Sequence, residues 1–289
     1  MITLQSRALI DRYSLASRST SVAEGERPSK GVGGSVEFHD FRPYQHGDEL
    51  RYVDWNVYAR TGRLYTRLYQ ADRTVDVHIV LDTSRSMMLG GKLRYSRFLA
   101  ALVAYVALQD SQCQIHLFSG RTSRPFHGVN RVGDIWEFIE ETLVDREATF
   151  TPSEALKKFA LGIPAFRGAG LVLIISDLFD EVSLQPALAA FRARSLDASF
   201  LHVMAEDDLS PDFGHLEVVD LETGGHLSVG PAEVESYHQS VREFLMKTRG
   251  AILQAGYRHS LLRFTEDDTE ALERNALSSL IRERIFQKR

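Results

Sequence analysis

Asp82, Ser84 and Ser86 stand at i, i+2 and i+4, placing one carboxylate and two hydroxyls within five residues. Such a set suits a hard divalent cation, because Mg²⁺ takes oxygen ligands in near-octahedral geometry and keeps several waters. Two neutral hydroxyls leave the ion under-neutralised, with affinity to spare for an outside carboxylate. The alternative for these residues is an Asx-turn whose serines satisfy backbone groups. Upstream, Val75, Val77, Ile79, Val80 and Leu81 read as a strand rich in β-branched residues. Downstream, Gly90 and Gly91 precede a strong helical pattern. A strand that ends in oxygen ligands and feeds a helix is where open α/β sheets place their binding sites. The helix dipole also aims its positive end there, which favours an incoming anion.

Two later stretches supply what that site lacks. LVLIISDLFD, residues 171–180, reads as a buried strand ending in Ser176 and Asp177. In a parallel sheet its carboxyl end shares an edge with Asp82, so Asp177 can reach the same ion through water. Asp180 is the second choice, with helix capping as its other role. In EATFTPSEALKKF, Thr151, Pro152, Ser153 and Glu154 form a capping-box pattern with proline at the first helical position. That assigns Thr151 to the cap and leaves Thr149, just upstream, as the ligand hydroxyl, with Thr151 as the alternative.

The elements that must position these residues alternate strand with helix from residue 75 onward. Strands are expected over 75–81, 114–118, 171–175, 198–204, 216–221 and 257–262, and helices over 93–109, 132–144, 152–159, 184–193, 233–254 and 268–286. This order predicts an α/β fold with a doubly wound, mostly parallel six-stranded sheet of Rossmann type. Residues 75–289, with their C-terminal helix, form the main domain. Residues 1–74 precede it as a helix over 2–15, a Ser- and Gly-rich linker, and a small aromatic and Arg-rich segment expected to pack on the main domain. A half-buried strand is expected over 63–69. Within that segment Arg42, Asp48, Arg51, Asp54 and Trp55 are candidate partner-binding residues, because aromatics and arginine dominate interface hot spots. The other reading of the segment is a folded layer packed through its aromatics, with ion pairs at its rim.

Composition narrows the function classes. The 289 residues are 44% hydrophobic and 25% charged, as in ordinary globular chains, and the net charge of −5 is spread evenly. No basic stripe marks a nucleic-acid surface. Cys113 is the only cysteine, which excludes an internal disulfide and suits a reducing compartment. The longest apolar run, over 98–108, is far short of the ~20 residues that span a bilayer. A cytoplasmic protein without direct membrane insertion is expected. No G-x-S-x-G or G-x-x-x-x-G-K frame appears, the histidines lack ligand spacing, and no general base stands beside the oxygens. A binding module is therefore expected before an enzyme. A metal-dependent hydrolase and a metal-free scaffold are the alternatives.

Together, D-x-S-x-S at 82–86, the loop threonine and the later Asp177 resemble the metal-ion-dependent adhesion site of von Willebrand factor A domains. The resemblance implies direct coordination of a divalent cation (Mg²⁺ first, Mn²⁺ or Ca²⁺ next) by Ser84 and Ser86. It implies a contribution from Thr149 in some states, and aspartates acting mostly through water. The upstream run with Glu37-Phe38, Arg42-Pro43-Tyr44, Gly47-Asp48, Arg51, Asp54-Trp55 and Ala59-Arg60 resembles the bacterial family called domain of unknown function fifty-eight. That resemblance implies a partner of the MoxR-class AAA ATPase type. The implied role is that of an adaptor or co-chaperone that helps the ATPase mature a protein client, whose carboxylate would complete the metal site.

Overall fold

The computed structural model describes residues 2–16, 36–71, 76–141, 151–163, 170–180, 182–211, 217–219, 226–228, 231–265 and 268–289. Two compact units emerge: Met1–Ser19 with Val75–Arg289, and Thr20–Thr74. The first helix therefore groups with the main unit and not with the segment up to residue 74. The physical reason is burial. Helix α1 (Leu4–Ile10) places Ile10 in the main core. The Thr3 N–H and hydroxyl both donate to the buried Glu273 carboxylate at 2.9 Å. Strand β1 (Tyr13–Leu15) ends this stretch.

The smaller unit is an antiparallel hairpin of β2 (Val36–Pro43) and β3 (Tyr65–Ala71), with helix α2 (Trp55–Thr61) inserted between the strands. Asp54 caps α2 by accepting from the Asn56 and Val57 N–H groups at 2.9 and 3.1 Å. Gly62, at φ +63°, closes it in a left-handed conformation that costs glycine least.

The main unit continues with β4 (Asp76–Leu81), α3 (Lys92–Ala107), β5 (Gln112–Leu117), β6 (Phe126–His127), α4 (Val132–Glu141), α5 (Pro152–Gly162) and β7 (Gly170–Ser176). After these come α6 (Gln185–Ala193), β8 (Asp197–Ala205), α7 (Glu206–Leu209), the hairpin β9 (Glu217–Val219) and β10 (His226–Ser228), and α8 (Pro231–Gln254). The chain finishes with β11 (Arg258–Phe264), α9 (Thr269–Arg282) and β12 (Phe286–Lys288). One six-stranded sheet runs in the order β11-β8-β7-β4-β5-β6, parallel throughout except for β6.

The doubly wound α/β class holds, with one exchange of strands. Residues 216–221, expected in the main sheet, contribute instead β9, which pairs antiparallel with β10. The sixth place is taken by the two-residue edge strand β6, too short for an alternation pattern to reveal. The helix expected over 268–286 ends at Arg282, and the chain then pairs β12 antiparallel with β1.

Strand alternation divides the core into two. Ile79, Leu81, Ile115, Leu173 and Leu201 face α3, α4 and α9 on one side. Val80, Val172, Ile174 and Phe200 face α5, α6 and Tyr257 on the other. The central strands are apolar on both faces, as buried parallel strands must be. Helix α3 is buried along most of its length, so it reads as continuously apolar. Among the described residues no helix is long and apolar enough to cross a membrane.

Candidate functional site

The strand order places the reversal of the sheet between β4 and β7, since the chain leaves β4 toward β5 and later returns to β4's other side. Ligands in open α/β sheets bind in the crevice beyond the carboxyl ends of the strands at such a reversal. Asp82 follows β4 and Asp177 follows β7, so both lie at that crevice. The Asp82 N–H donates to the Ile175 carbonyl at 2.9 Å, which fixes the two loops against each other.

The Asp82 carboxylate is fully buried. One oxygen accepts from the Ser84 N–H at 2.8 Å, and the other accepts from the Ser176 hydroxyl at 2.5 Å. The first bond is an Asx-turn, so that part of the alternative reading is correct. The serine hydroxyls do something else: Ser84 Oγ and Ser86 Oγ lie 3.1 Å apart. Burial first, and then the charge of Asp177, push the Asp82 carboxyl well above the usual carboxylate range. Two acids held together in this way lack enough positive charge between them.

Part of that charge comes from Lys92, at the start of α3. Its ammonium meets Asp177 Oδ2 at 2.9 Å and Asp208 Oδ2, from α7, at 3.0 Å. Burial works against the ammonium, but the two carboxylates outweigh it and hold Lys92 above the ordinary lysine range. Three carboxyl groups, those of Asp82, Asp177 and Asp208, thus meet a single ammonium, and burial holds Asp82 toward its neutral form.

The neighbouring loops are shaped closely. Gly90 takes φ +56°, which strains any other residue, and a Cβ there would stand tight against the Ala205 Cβ at 3.3 Å. Leu178, buried directly after Asp177, takes φ +53°, a left-handed conformation that costs a leucine about 1–2 kcal/mol. Its N–H donates to the Ser176 hydroxyl at 2.8 Å, and the Phe179 N–H donates to Asp177 Oδ1 at 3.2 Å. Strain of this kind collects where a loop is held for function.

Beside the oxygens opens a cavity of about 500 Å³ that shares Ser86, Lys92, Asp177 and Asp208 with them. Its apolar wall includes Leu89, Phe179 and Phe244. Leu89 and Phe179 are exposed at its mouth.

Asp82, Ser84, Ser86 and Asp177 are thus brought to one crevice. Thr149 lies outside the described residues. Thr151 caps α5, accepting from the Glu154 N–H at 3.3 Å. Asp180 is a capping residue too, but of a different helix from the following one: its carboxylate accepts from the Ser153 N–H of α5 at 2.7 Å and from the Val182 N–H at 2.8 Å. Helix α6 starts without a side-chain cap. Ser176, Lys92 and Asp208 were missed by the sequence reading. Ser176 adjoins a named residue and could have been found by asking what a buried carboxylate bonds to. Lys92 gives no such signal, because a lysine at a helix start reads as solvated.

The donor set fits a hard divalent ion. Among the described residues no group of three or more His, Cys, Asp or Glu is placed to hold a metal ion. Mg²⁺ ligands at 2.0–2.1 Å in octahedral positions stand about 3 Å from their neighbours, which is the spacing of the two serine hydroxyls. A cation there would also offset the charge that burial and Asp177 disfavour on Asp82.

In the smaller unit the interaction candidates divide. Arg42 pairs with Asp48 at 2.6 Å, and Asp48 also accepts from the Gln45 N–H and the Thr66 hydroxyl. Asp54 caps α2 and pairs with Arg67 at 2.8 Å. These three residues hold the hairpin together. Arg51 stacks on Tyr52 and pairs with Glu49, both near the surface. Trp55 is 55% exposed and meets Tyr58 edge-on at 6.1 Å. A buried tryptophan would lose 3–5 kcal/mol on truncation. Trp55→Ala should instead lose about 1 kcal/mol or less in urea unfolding, mostly the edge-on pair.

Comparison with known proteins bears on the hairpin and on β4 through β6. Residues 40–126 match the family described as "Protein of unknown function DUF58". The DUF58 match takes in Asp82, Ser84, Ser86 and Lys92 and stops short of Asp177. The uncharacterized proteins Rv1480 of Mycobacterium tuberculosis (strain ATCC 25618 / H37Rv) and Mb1516 of Mycobacterium bovis are each 27% identical to the chain over 222 residues. Those matches span 69% of this chain and 66% of the relative, just under two thirds of its length. Among solved structures, an aerotolerance-related membrane protein from Bacteroides fragilis NCTC 9343 is 14% identical, covering 72% of this chain and 99% of that one, with a TM-score of 0.42. A von Willebrand factor type A protein from Catenulispora acidiphila is 12% identical, covering 76% and 45%, with a TM-score of 0.41. At such scores the architecture rests on the strand order itself.

Proposed function

We propose that this chain is a non-enzymatic, metal-dependent protein-interaction module. Asp82, Ser84, Ser86 and Asp177 would hold a divalent cation, Mg²⁺ first, with Thr149 as a further ligand. The reading rests on one observation above the rest: a buried Asp82, two facing hydroxyls and Asp177 meet at the sheet reversal, with more carboxyl groups there than Lys92 can neutralise. Mg²⁺ would supply positive charge to these carboxyl groups and a coordination position for an outside carboxylate. The chain's own part is to keep the hydroxyls facing each other and the carboxylates dry. Asp82 is anchored at both oxygens, so it is better placed to steer a bound water than to ligate directly. The hydroxyls bond each other, with no histidine bonded to either among the described residues, and this favours docking over hydrolysis.

The partner we propose, on the strength of the DUF58-like segment and of the Asp82–Asp177 crevice, is a MoxR-class AAA ATPase acting on a protein client. The chain would then serve as a cytoplasmic adaptor or co-chaperone, and Arg51 and Trp55 would be the exposed part of a second contact surface.

Metal binding to the folded state alone raises the melting temperature by mass action, worth ~2.7 kcal/mol at a hundredfold excess over Kd. Millimolar Mg²⁺ should therefore raise the melting temperature of the wild type and leave that of Asp82→Ala unmoved. Equal responses, or none in the wild type, would sink the metal site. Ser84→Ala/Ser86→Ala should lose the ATPase in a pull-down, and retention of the ATPase would reject the carboxylate-docking reading.

A further inference from the structure

We infer that Lys92 is a tethered competitor for the proposed cation, and that it sets the affinity of the site. This rests on the metal reading above and adds a positioning residue to it. Three observations carry it. The Lys92 side chain is 6% exposed, so its charge is poorly screened by water. Its ammonium is fixed from two sides, by Asp177 Oδ2 at 2.9 Å and Asp208 Oδ2 at 3.0 Å, and so cannot swing away freely. Asp177 is itself one of the four described side chains proposed to hold the ion, and its charge bears directly on Asp82.

Every negative charge that Lys92 neutralises is one fewer for a divalent ion. Without the ammonium the charge of Asp177 and Asp208 would stand uncompensated and would attract the ion whether or not a partner were present. With it, part of the charge of Asp177 and Asp208 is cancelled, and an incoming carboxylate restores what the ammonium cancels. Metal and partner then reinforce each other, as linkage requires of two ligands that share one charge deficit. The tie extends into the cavity wall, because the Tyr237 hydroxyl of α8 donates to the Asp208 carbonyl at 2.8 Å. Lys92 thus joins the crevice to the helix that lines the neighbouring cavity.

The test is the dissociation constant for Mn²⁺, read by electron paramagnetic resonance, with Mg²⁺ as competitor. Lys92→Met should tighten it by about tenfold or more, because a unit charge near a divalent ion is removed. Lys92→Arg keeps the charge and should return the wild-type value. Lys92→Gln keeps a hydrogen bond to Asp177 without the charge and should follow Lys92→Met. A purely structural lysine would alter melting and leave the dissociation constant in place. Wild-type binding with unchanged affinity in Lys92→Met and Lys92→Gln overturns this inference alone. No Mn²⁺ binding by the wild type overturns it together with the metal site. Failure of both neutral variants to fold would make Lys92 a fold determinant and would overturn it as well.

Discussion

Lys92→Met, without metal, should unfold in urea with about 3–5 kcal/mol less stability than the wild type, the cost of stranding a buried charge. Asp177 is 1% exposed, and Lys92 is its ion-pair partner at 2.9 Å. Removing the ammonium leaves that carboxylate dry beside the carboxylate of Asp82, which burial already disfavours. A surface ion pair would behave otherwise: Arg274 with Glu270, both exposed on α9, should change stability by a few tenths of a kcal/mol when broken. Saturating Mg²⁺ should recover much of the loss in Lys92→Met, because the ion supplies the missing positive charge. A loss below about 1 kcal/mol would mean that water reaches Asp177 freely and that the crevice is not dry.

The sequence made the carboxyl-end crevice legible for a physical reason. Apolar runs that end in oxygen-bearing residues mark β4 and β7, and alternation with helices forces the two strands parallel. Parallel strands put Asp82 and Asp177 on one edge without any knowledge of their contacts. The capping box at Thr151 was readable on the same terms, because its chemistry is local. What escaped was non-local. Lys92 meets Asp177 across 85 positions and Asp208 across 116, and nothing near Lys92 announces that its ammonium turns inward. The edge strand β6 has two residues, too few for a period, so residues 216–221 took its place in the expected sheet. Asp180 shows the same limit, since its choice between capping α5 and capping α6 depends on which helix start lies nearer in space.

The second large effect is acid instability from a pair of buried histidines. His78 of β4 and His116 of β5 face each other, with Nδ1 of one 2.8 Å from Nε2 of the other and Phe159 packed against both rings. One ring donates and the other accepts, so the bond cannot survive with both rings protonated, and burial disfavours the charge on either. Burial, against the opposing pull of Asp76, pushes His78 down to about 4. Burial and then His78 itself push His116 down to about 3. In the unfolded chain both return toward 6.5 and bind protons that the native state refuses. The stabilisation is therefore fully present above pH 6.5 and is lost as the pH falls from there toward 4. Each group contributes at most about 1.4 kcal/mol per pH unit in that window. Allowing for water at the rims of the rings, the pair should cost roughly 1–3 kcal/mol between pH 6.5 and 5. Urea unfolding at a series of pH values reads this slope directly, and His78→Phe/His116→Leu should flatten it while leaving the carboxylate contribution below pH 4.5 in place. Identical acid limbs for the wild type and the double variant would show that the two rings accept protons without unfolding. The pair would then be open to water in a way that exposures of 7% and 9% do not allow.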